Sequence, residues 1–364
     1  MIFALNARPS VTNTRVDKMN TQFLSLAASK ANDDTYHVAI WVWVTVLVVV
    51  LGALLLDLLV FNRHAHAISM KEAAYASIGW ITLGVAFGVF VTIDLGGKAG
   101  GEYFAAYILE KSLSVDNLFV FALLFSYFAV PKVYQHRVLF WGVVGALIFR
   151  GIFIAAGAAL ITRFEFVLAV FGLILLVSAW KMAFSSHEAV DPEKNPILRL
   201  MRKRIAMTKE YHGQKFFTKI NAKRYVTPLF AVLVIVETTD IVFALDSIPA
   251  VFGISRDPFI VFSSNAFAIL GLRALYFLVA GLLDRFSALK YGLSFILAFI
   301  GVKLIGTFFF NWHAPIALSL GVIASALTVS IVYSLVLTAP TPEEVVHKGE
   351  GLQEVDEEFA DPPE

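Results

Sequence analysis

The sequence predicts an all-α, polytopic transmembrane helix bundle of about nine spans, built on a 3+3 inverted-topology repeat. Three observations carry that expectation. The chain of 364 residues is 58% apolar and only 16% charged, against about 45–50% and about 25% for a soluble domain. Its apolar residues fall in runs of about 20 or more, the length that crosses the hydrocarbon layer as helix. Two stretches of the chain also resemble each other at an offset of 122 residues. The 29 basic and 28 acidic side chains leave a net charge of +1, which gives no reason to expect a nucleic-acid partner. With no cysteine, disulfide frameworks, thiolate metal sites and thiol nucleophiles are excluded.

Residues 1–35 are polar and lack the apolar stretch of a cleaved signal peptide, so they are expected to form a disordered tail, with Met19 an alternative start. Two leading spans, 36–61 and 73–93, lie within 36–103. Three follow in 104–182, at 104–129, 138–161 and 164–182. A polar connection covers 183–225. Three more spans lie in 226–310, at 226–252, 258–281 and 288–310, and a last one, 314–338, within 311–338. Glycines inside these runs, among them Gly142, Gly145, Gly151, Gly157, Gly271 and Gly301, would weaken a soluble helix but let membrane helices approach closely. Residues 339–364 carry nine carboxylates against Lys348 and are expected to be a disordered acidic tail.

Lys and Arg in the connections set the orientation. Ten fall in 183–225: Lys194, Arg199, Arg202, Lys203, Arg204, Lys209, Lys215, Lys219, Lys223 and Arg224. That connection is expected on the cytoplasmic side of an inner (cell) membrane, as a solvated topology signal or a contact for anionic headgroups. Nine spans then put the N-terminus outside and the C-terminus in the cytoplasm.

Transporter folds often duplicate a half. Val120-Phe121-Ala122-Leu123 matches Val242-Phe243-Ala244-Leu245, Arg150 matches Arg273, and Lys181 matches Lys303. Each copy, 104–182 and 226–310, holds three spans. An odd number makes the second copy enter the membrane from the opposite side.

Seven carboxylates fall within or at the edge of the spans: Asp57, Asp94, Glu110, Asp116, Glu237, Asp240 and Asp246. Each costs about 2.5–3.5 kcal/mol at a helix centre, so they are expected to face protein or a wet site. Glu237 and Asp240 share a helix face. Glu110 and Asp116 are six residues apart, as are Asp240 and Asp246, which is about 240° around an ideal helix. Either both faces meet protein or the helix is unwound, and Pro249 favours unwinding by displacing the carbonyl of Leu245. Carboxylate, carbonyl, amide and hydroxyl oxygens suit hard divalent cations such as Mn²⁺, Ca²⁺ and Mg²⁺. The candidate ligands are Glu110, Asp116, Asn117, Glu237, Asp240, Asp246, Ser247 and Asp94. Arg150 and Arg273 are expected to pair with acids or to snorkel. His64-Ala65-His66 reads as a juxtamembrane loop. Gly96-Gly97-Lys98-Ala99-Gly100-Gly101 lacks the ending of a phosphate loop. No catalytic constellation or resident cofactor is expected. The expected partners are a divalent ion, the bilayer and other membrane proteins, including further copies of the chain.

Two segments go further. Glu110-Lys111-Ser112-Leu113-Ser114-Val115-Asp116-Asn117-Leu118-Phe119-Val120-Phe121 and Glu237-Thr238-Thr239-Asp240-Ile241-Val242-Phe243-Ala244-Leu245-Asp246-Ser247-Ile248-Pro249-Ala250 resemble the signature motifs of the TerC family of integral membrane proteins, which includes the Alx-type manganese exporters. The resemblance covers roughly residues 38–310. It implies a polytopic inner-membrane protein, associated with tellurium resistance, that exports Mn²⁺. It also implies site roles for Glu110, Asp116, Glu237, Asp240 and Asp246; Asn117, Ser247 and Asp94 come from the chemistry alone. Exchange of metal for protons is an expectation from crowded carboxylates. The resemblance also takes in plant members linked to thylakoid membrane biogenesis, so it leaves the substrate open; the competing expectation is a membrane-protein assembly or stress-response factor with a structural metal.

Overall fold

The computed structural model describes residues 36, 38–59, 69–184, 196–208, 210–220, 223–279, 289–312 and 314–337. The two tails and the His64–His66 loop lie outside the described residues. Eleven helices and one short hairpin are described. They are α1 (Ile40–Leu59), α2 (Met70–Leu95), α3 (Gly97–Tyr127), α4 (Lys132–Arg163), α5 (Val167–Phe184), α6 (Pro196–Arg204), β1 (Phe217–Ile220), β2 (Lys223–Val226), α7 (Pro228–Phe252), α8 (Pro258–Ile269), α9 (Leu272–Val279), α10 (Leu289–Phe310) and α11 (Ile316–Leu337).

Seven of these helices, α1, α2, α4, α5, α7, α10 and α11, are long and apolar enough to cross a membrane. Together α8 and α9 make an eighth such segment, bent by 45°. The sequence expectation of nine adds α3, whose 31 residues reach about 46 Å. Glu110 and Lys111 sit mid-helix there, with Glu102 and Asp116 on either side, so α3 is set apart by charge and not by length. It is the polar spine of the bundle, packed against α2, α7, α8 and α11.

Local chemistry fixes the ends. Ser69 caps α2 by accepting from the Glu72 N–H at 3.3 Å. α2 passes into α3 through Gly96 alone, whose φ of +93° only glycine adopts cheaply. Asp257 caps α8, accepting from the N–H groups of Phe259 and Ile260 at 2.9 and 3.0 Å. α7 opens with Pro228 at its first turn. The unwinding expected at Pro249 does not occur: α7 runs unbroken through it to Phe252. Pro249 sits in the last turn, so it removes one backbone bond where the ladder is about to end. The break falls instead between α8 and α9, at Gly271 with φ +78°.

Four helix pairs organise the interior: α3 with α8, α4 with α7, α3 with α7, and α5 with α10, the most extensive contact of all. The α5–α10 pair meets backbone to backbone. A Cβ on Gly172 would lie 2.8 Å from the Gly301 carbonyl, and one on Gly301 would lie 2.9 Å from the Gly172 carbonyl. Outward faces are apolar and exposed, as with Val48 and Leu51 on α1, Val89 on α2, and Val329 and Val336 on α11. That is the surface a hydrocarbon solvent requires.

The 183–225 connection is partly folded. In α6, Leu198 and Met201 are buried in the same core cluster as α4 and α7. The hairpin pairs Phe217 with Val226 through Ile220 with Lys223. It is tied to the bundle by Thr227, whose hydroxyl donates to the Lys215 carbonyl at 2.7 Å, and by Tyr211, which donates to the Phe128 carbonyl at 2.7 Å.

Gly172→Leu and Gly301→Leu should each lower the melting temperature of the purified protein, consistent with the about 1–3 kcal/mol that overpacking costs. Gly52→Ala and Gly79→Ala, where a Cβ meets nothing within 4 Å, should leave it unchanged. Fluorescence-detected size exclusion after heating reads both.

Candidate functional site

The centre of the site is a cation of the protein itself. Arg150 on α4 is 2% exposed. Its Nε and Nη2 donate to the two carboxylate oxygens of Asp240 at 3.3 and 3.2 Å. Its Nη1 donates to the Ser247 hydroxyl at 3.3 Å and to the Asn265 side-chain oxygen at 3.1 Å. The same nitrogen is ion-paired with Glu110, which is fully buried. Four helices therefore converge on one guanidinium: α3 brings Glu110, α4 Arg150, α7 Asp240 and Ser247, and α8 Asn265.

Helix geometry explains the selection. Asp240 and Ser247 are seven residues apart, two turns, so both point at α4. Asp246 lies on a different face and accepts from the Ser178 hydroxyl of α5 at 2.5 Å. The six-residue spacing is thus accommodated by protein on both faces of a regular helix. The planar guanidinium suits this position because its fork engages both oxygens of a carboxylate and still has donors for a second acid. Two carboxylates and one guanidinium leave the cluster with a formal charge of −1.

The remaining expected ligands are placed as follows. Glu237 lies one turn before Asp240, with its carboxylate over Gly145 of α4, and its Oε2 is buried without a hydrogen-bond partner. Asn117 is buried and shares the Glu110 face of α3, being two turns on, whereas Asp116 is half-buried on the adjoining face. Asp94 is exposed near the end of α2, outside the buried cluster. Of the eight residues, the structure brings Glu110, Asp240 and Ser247 together at Arg150. No three His, Asp or Glu side chains among the described residues are arranged as a metal-holding group. The donors that could hold a cation at the Arg150 position are Glu110, Asp240, Ser247 and Asn265, all oxygen. Asn265 was not expected. Ser263-Ser264-Asn265, three polar residues in succession within an apolar run, is the signal that marks it.

Three further polar contacts join helices within the bundle. Arg273 of α9 pairs with Asp57 of α1 at 2.5 Å. The Lys111 ammonium donates to the carbonyls of Ala268 and Leu270 at 2.9 and 3.2 Å, satisfying the chain where α8 breaks from α9. Ser255 donates to Glu102 at 2.6 Å. Asp257, in the α7–α8 connection, has its carboxyl pushed up by burial, against which the N–H groups of Ile260, Tyr36 and Phe259 pull down.

A family profile described as "Integral membrane protein TerC family" matches residues 95–341, a stretch that contains every residue of the Arg150 cluster. The chain belongs to the TerC family of integral membrane proteins. It is 47% identical over 299 residues to the "Putative membrane-bound redox modulator Alx" of Salmonella typhi, covering 80% of this chain and 92% of that one. It is 44% identical over 299 residues to the protein of the same name in Escherichia coli K12, with the same coverage. It is also 44% identical over 300 residues to the "Uncharacterized membrane protein STKORF319" of Myxococcus xanthus, covering 82% and 93%. No solved structure matches the chain. Membership makes this a multi-pass integral membrane protein, and the TerC match begins at Leu95, where α2 ends.

Arg273→Met should remove the cation paired with the half-buried Asp57 and lower the melting temperature of this TerC protein. The double variant D57L/R273M should recover most of that loss. Thermal melts of the two purified variants in one detergent compare them directly.

Proposed function

We propose that the chain is a secondary transporter that exports a hard divalent cation, Mn²⁺ in the first instance, across the inner membrane. The observation that carries this reading is the meeting of Glu110 and Asp240, one from each of the two long acidic motifs, in one buried site whose other donors are the oxygens of Ser247 and Asn265. Hard cations select such donors. A buried pair of acids between membrane helices marks an ion path more often than a scaffold. No catalytic chemistry is assigned to the site.

The helix pairing supports a duplicated architecture. If α3, α4 and α5 correspond to α7, α8–α9 and α10, the α3–α8 contact is the counterpart of α4–α7. The α3–α7 and α5–α10 contacts map onto themselves. A two-fold axis in the membrane plane generates this pattern, and the odd number of spans per copy inverts the second. In this reading α3 is the ninth crossing, the hairpin and the C-terminus are cytoplasmic, and the N-terminus is outside. The ion enters between the copies, and protons exchange for it at the carboxylates.

The name of the Alx relatives speaks of redox modulation. This chain has no cysteine, so any such effect passes through something other than its own thiols. Control of a redox-active metal's level is compatible with that constraint.

Purified protein in liposomes should move Mn²⁺ in the direction opposite to the proton flow when a proton gradient is imposed. D240N and E110Q should each cut the initial rate by about 100-fold or more, since loss of even a residue that only supports a metal ligand costs about 10–100-fold. Gly145→Ala, which places a methyl where the Glu237 carboxylate lies, should cut it less. Full Mn²⁺ flux in both carboxylate variants would overturn the site. Retained manganese tolerance in cells carrying D240N, together with its loss when residues 340–364 are deleted, would favour the assembly-factor reading.

A further inference from the structure

We propose that the Arg150 guanidinium is a tethered competitor of the transported ion: it occupies the cation position between Glu110 and Asp240, and a divalent cation and this guanidinium hold that position in turn. The inference rests on the transport reading above and assigns the regulation of its site.

Donor bookkeeping leads there first. Both oxygens of Asp240 accept from Arg150, and the acceptors of Ser247 and Asn265 are turned to the same guanidinium. Glu110 is fully buried, and its carboxylate has no hydrogen-bond partner among the described residues beyond its ion pair with Arg150. All of the oxygens that would coordinate an ion, except Glu110 Oε2, are therefore engaged by one side chain. A cation entering this site must take those oxygens from Arg150.

Charge points the same way. With the guanidinium in place the two carboxylates are left at −1. A divalent ion in its stead brings the group to zero. Both cations together would give +1 in a space from which water is excluded and would press like charges against each other. The totals of −1 and +1 are equal in size, so it is the contact between like charges at one position that makes the guanidinium and the divalent ion hold it in turn.

The tether gives the exchange a mechanical consequence. Arg150 is carried by α4, whereas the oxygens it holds belong to α3, α7 and α8. Displacing the guanidinium unfastens α4 from those three helices, and returning it fastens them again. An empty carrier that must recross the membrane would otherwise expose two buried acids to a low-dielectric path, and Arg150 neutralises one of them. Glu237 is the next carboxylate along α7. It lies against Gly145 of the same helix that carries Arg150 and holds a buried oxygen with no hydrogen-bond partner. It is the receptor for the displaced guanidinium.

Titration of the purified full-length protein with Mn²⁺, read by the electron paramagnetic resonance signal of the free aqua ion, tests this. Arg150→Ala should bind Mn²⁺ about tenfold more tightly than the wild type or better, and Arg150→Lys, which keeps the charge but cannot fork, should bind a few-fold more tightly. Millimolar methylguanidinium should refill the hole in Arg150→Ala and return its Mn²⁺ affinity toward the wild-type value, with no effect on the wild type. A merely structural arginine would not respond to the free cation. If Arg150→Ala does not yield monodisperse protein, Arg150→Lys carries the comparison alone. Mn²⁺ affinity in Arg150→Lys equal to or weaker than wild type overturns the proposal, as does insensitivity of Arg150→Ala to methylguanidinium. Mn²⁺ flux in wild-type liposomes alongside either of those results would sink the competitor and spare the transport reading. No Mn²⁺ binding in the wild type or in either variant would sink both.

Discussion

A carboxylate buried among membrane helices needs a cation or hydrogen-bond donors, and the bundle is arranged around that constraint. Glu110 and Asp240 are both buried, and a single guanidinium from a third helix answers for both. The helix that carries each partner is fixed by this requirement. α3 must lie beside α4 and α7, and α8 must come close enough for Asn265 to accept the remaining Arg150 donor. The apolar faces fill in around the charges. Hydrocarbon-like packing alone gives no reason to choose one register of α4 against α7 over another, because lipid tails compete equally for Leu and Val. The Arg150–Asp240 fork supplies that choice.

The same rule governs the smaller contacts. At Gly271 the chain turns out of a helix inside the bundle, which leaves carbonyl oxygens without intrahelical donors. Lys111, one residue beyond Glu110 on α3, brings its ammonium to Ala268 and Leu270. One helix thus delivers an anion to the guanidinium and a cation to the broken helix end from adjacent positions. Arg273, on α9 just past that break, faces Asp57 of α1. Arg150, Lys111 and Arg273 each have a named counterpart on another helix, so the polar residues that disqualify α3 from a simple hydropathy count are the ones that hold it in place.

Much of this was legible in the sequence, because a carboxylate in an apolar run is conspicuous and the six-residue spacing restricts what a helix can do with two of them. The acids of both motifs, their lack of His or Cys company, and pairing as one role for Arg150 and Arg273 follow from residue type alone. What was not legible depends on where helices cross. Asn265 has no charge to betray it, and only the α3–α8 and α4–α8 contacts make it part of the site. Pro249 is a strong breaker by propensity, yet its position three residues from the end of α7 leaves little ladder to break. Gly271, which reads as one more packing glycine, is where the chain turns. Trp80 closes over it so tightly that a Cβ would meet the indole at about 2.5 Å.

The division of acids between two faces of α7 constrains any account of ion movement. Asp240 points to Arg150 on α4 and Asp246 to Ser178 on α5, and α7 is a continuous helix between them. To bring Asp246 to the place Asp240 holds, α7 would have to rotate by about 120° and slide by about 9 Å along its axis, dragging Ile235, Val236 and Ile248 out of their packed positions. Cores packed to crystal-like density do not permit such a rotation as a routine step. The two acids therefore cannot ligate one ion together in this arrangement. If both are needed for transport, they serve it at separate points along its path, with α7 as the shared wall. Glu237, one turn from Asp240 on the α4 side, belongs to the first of those points.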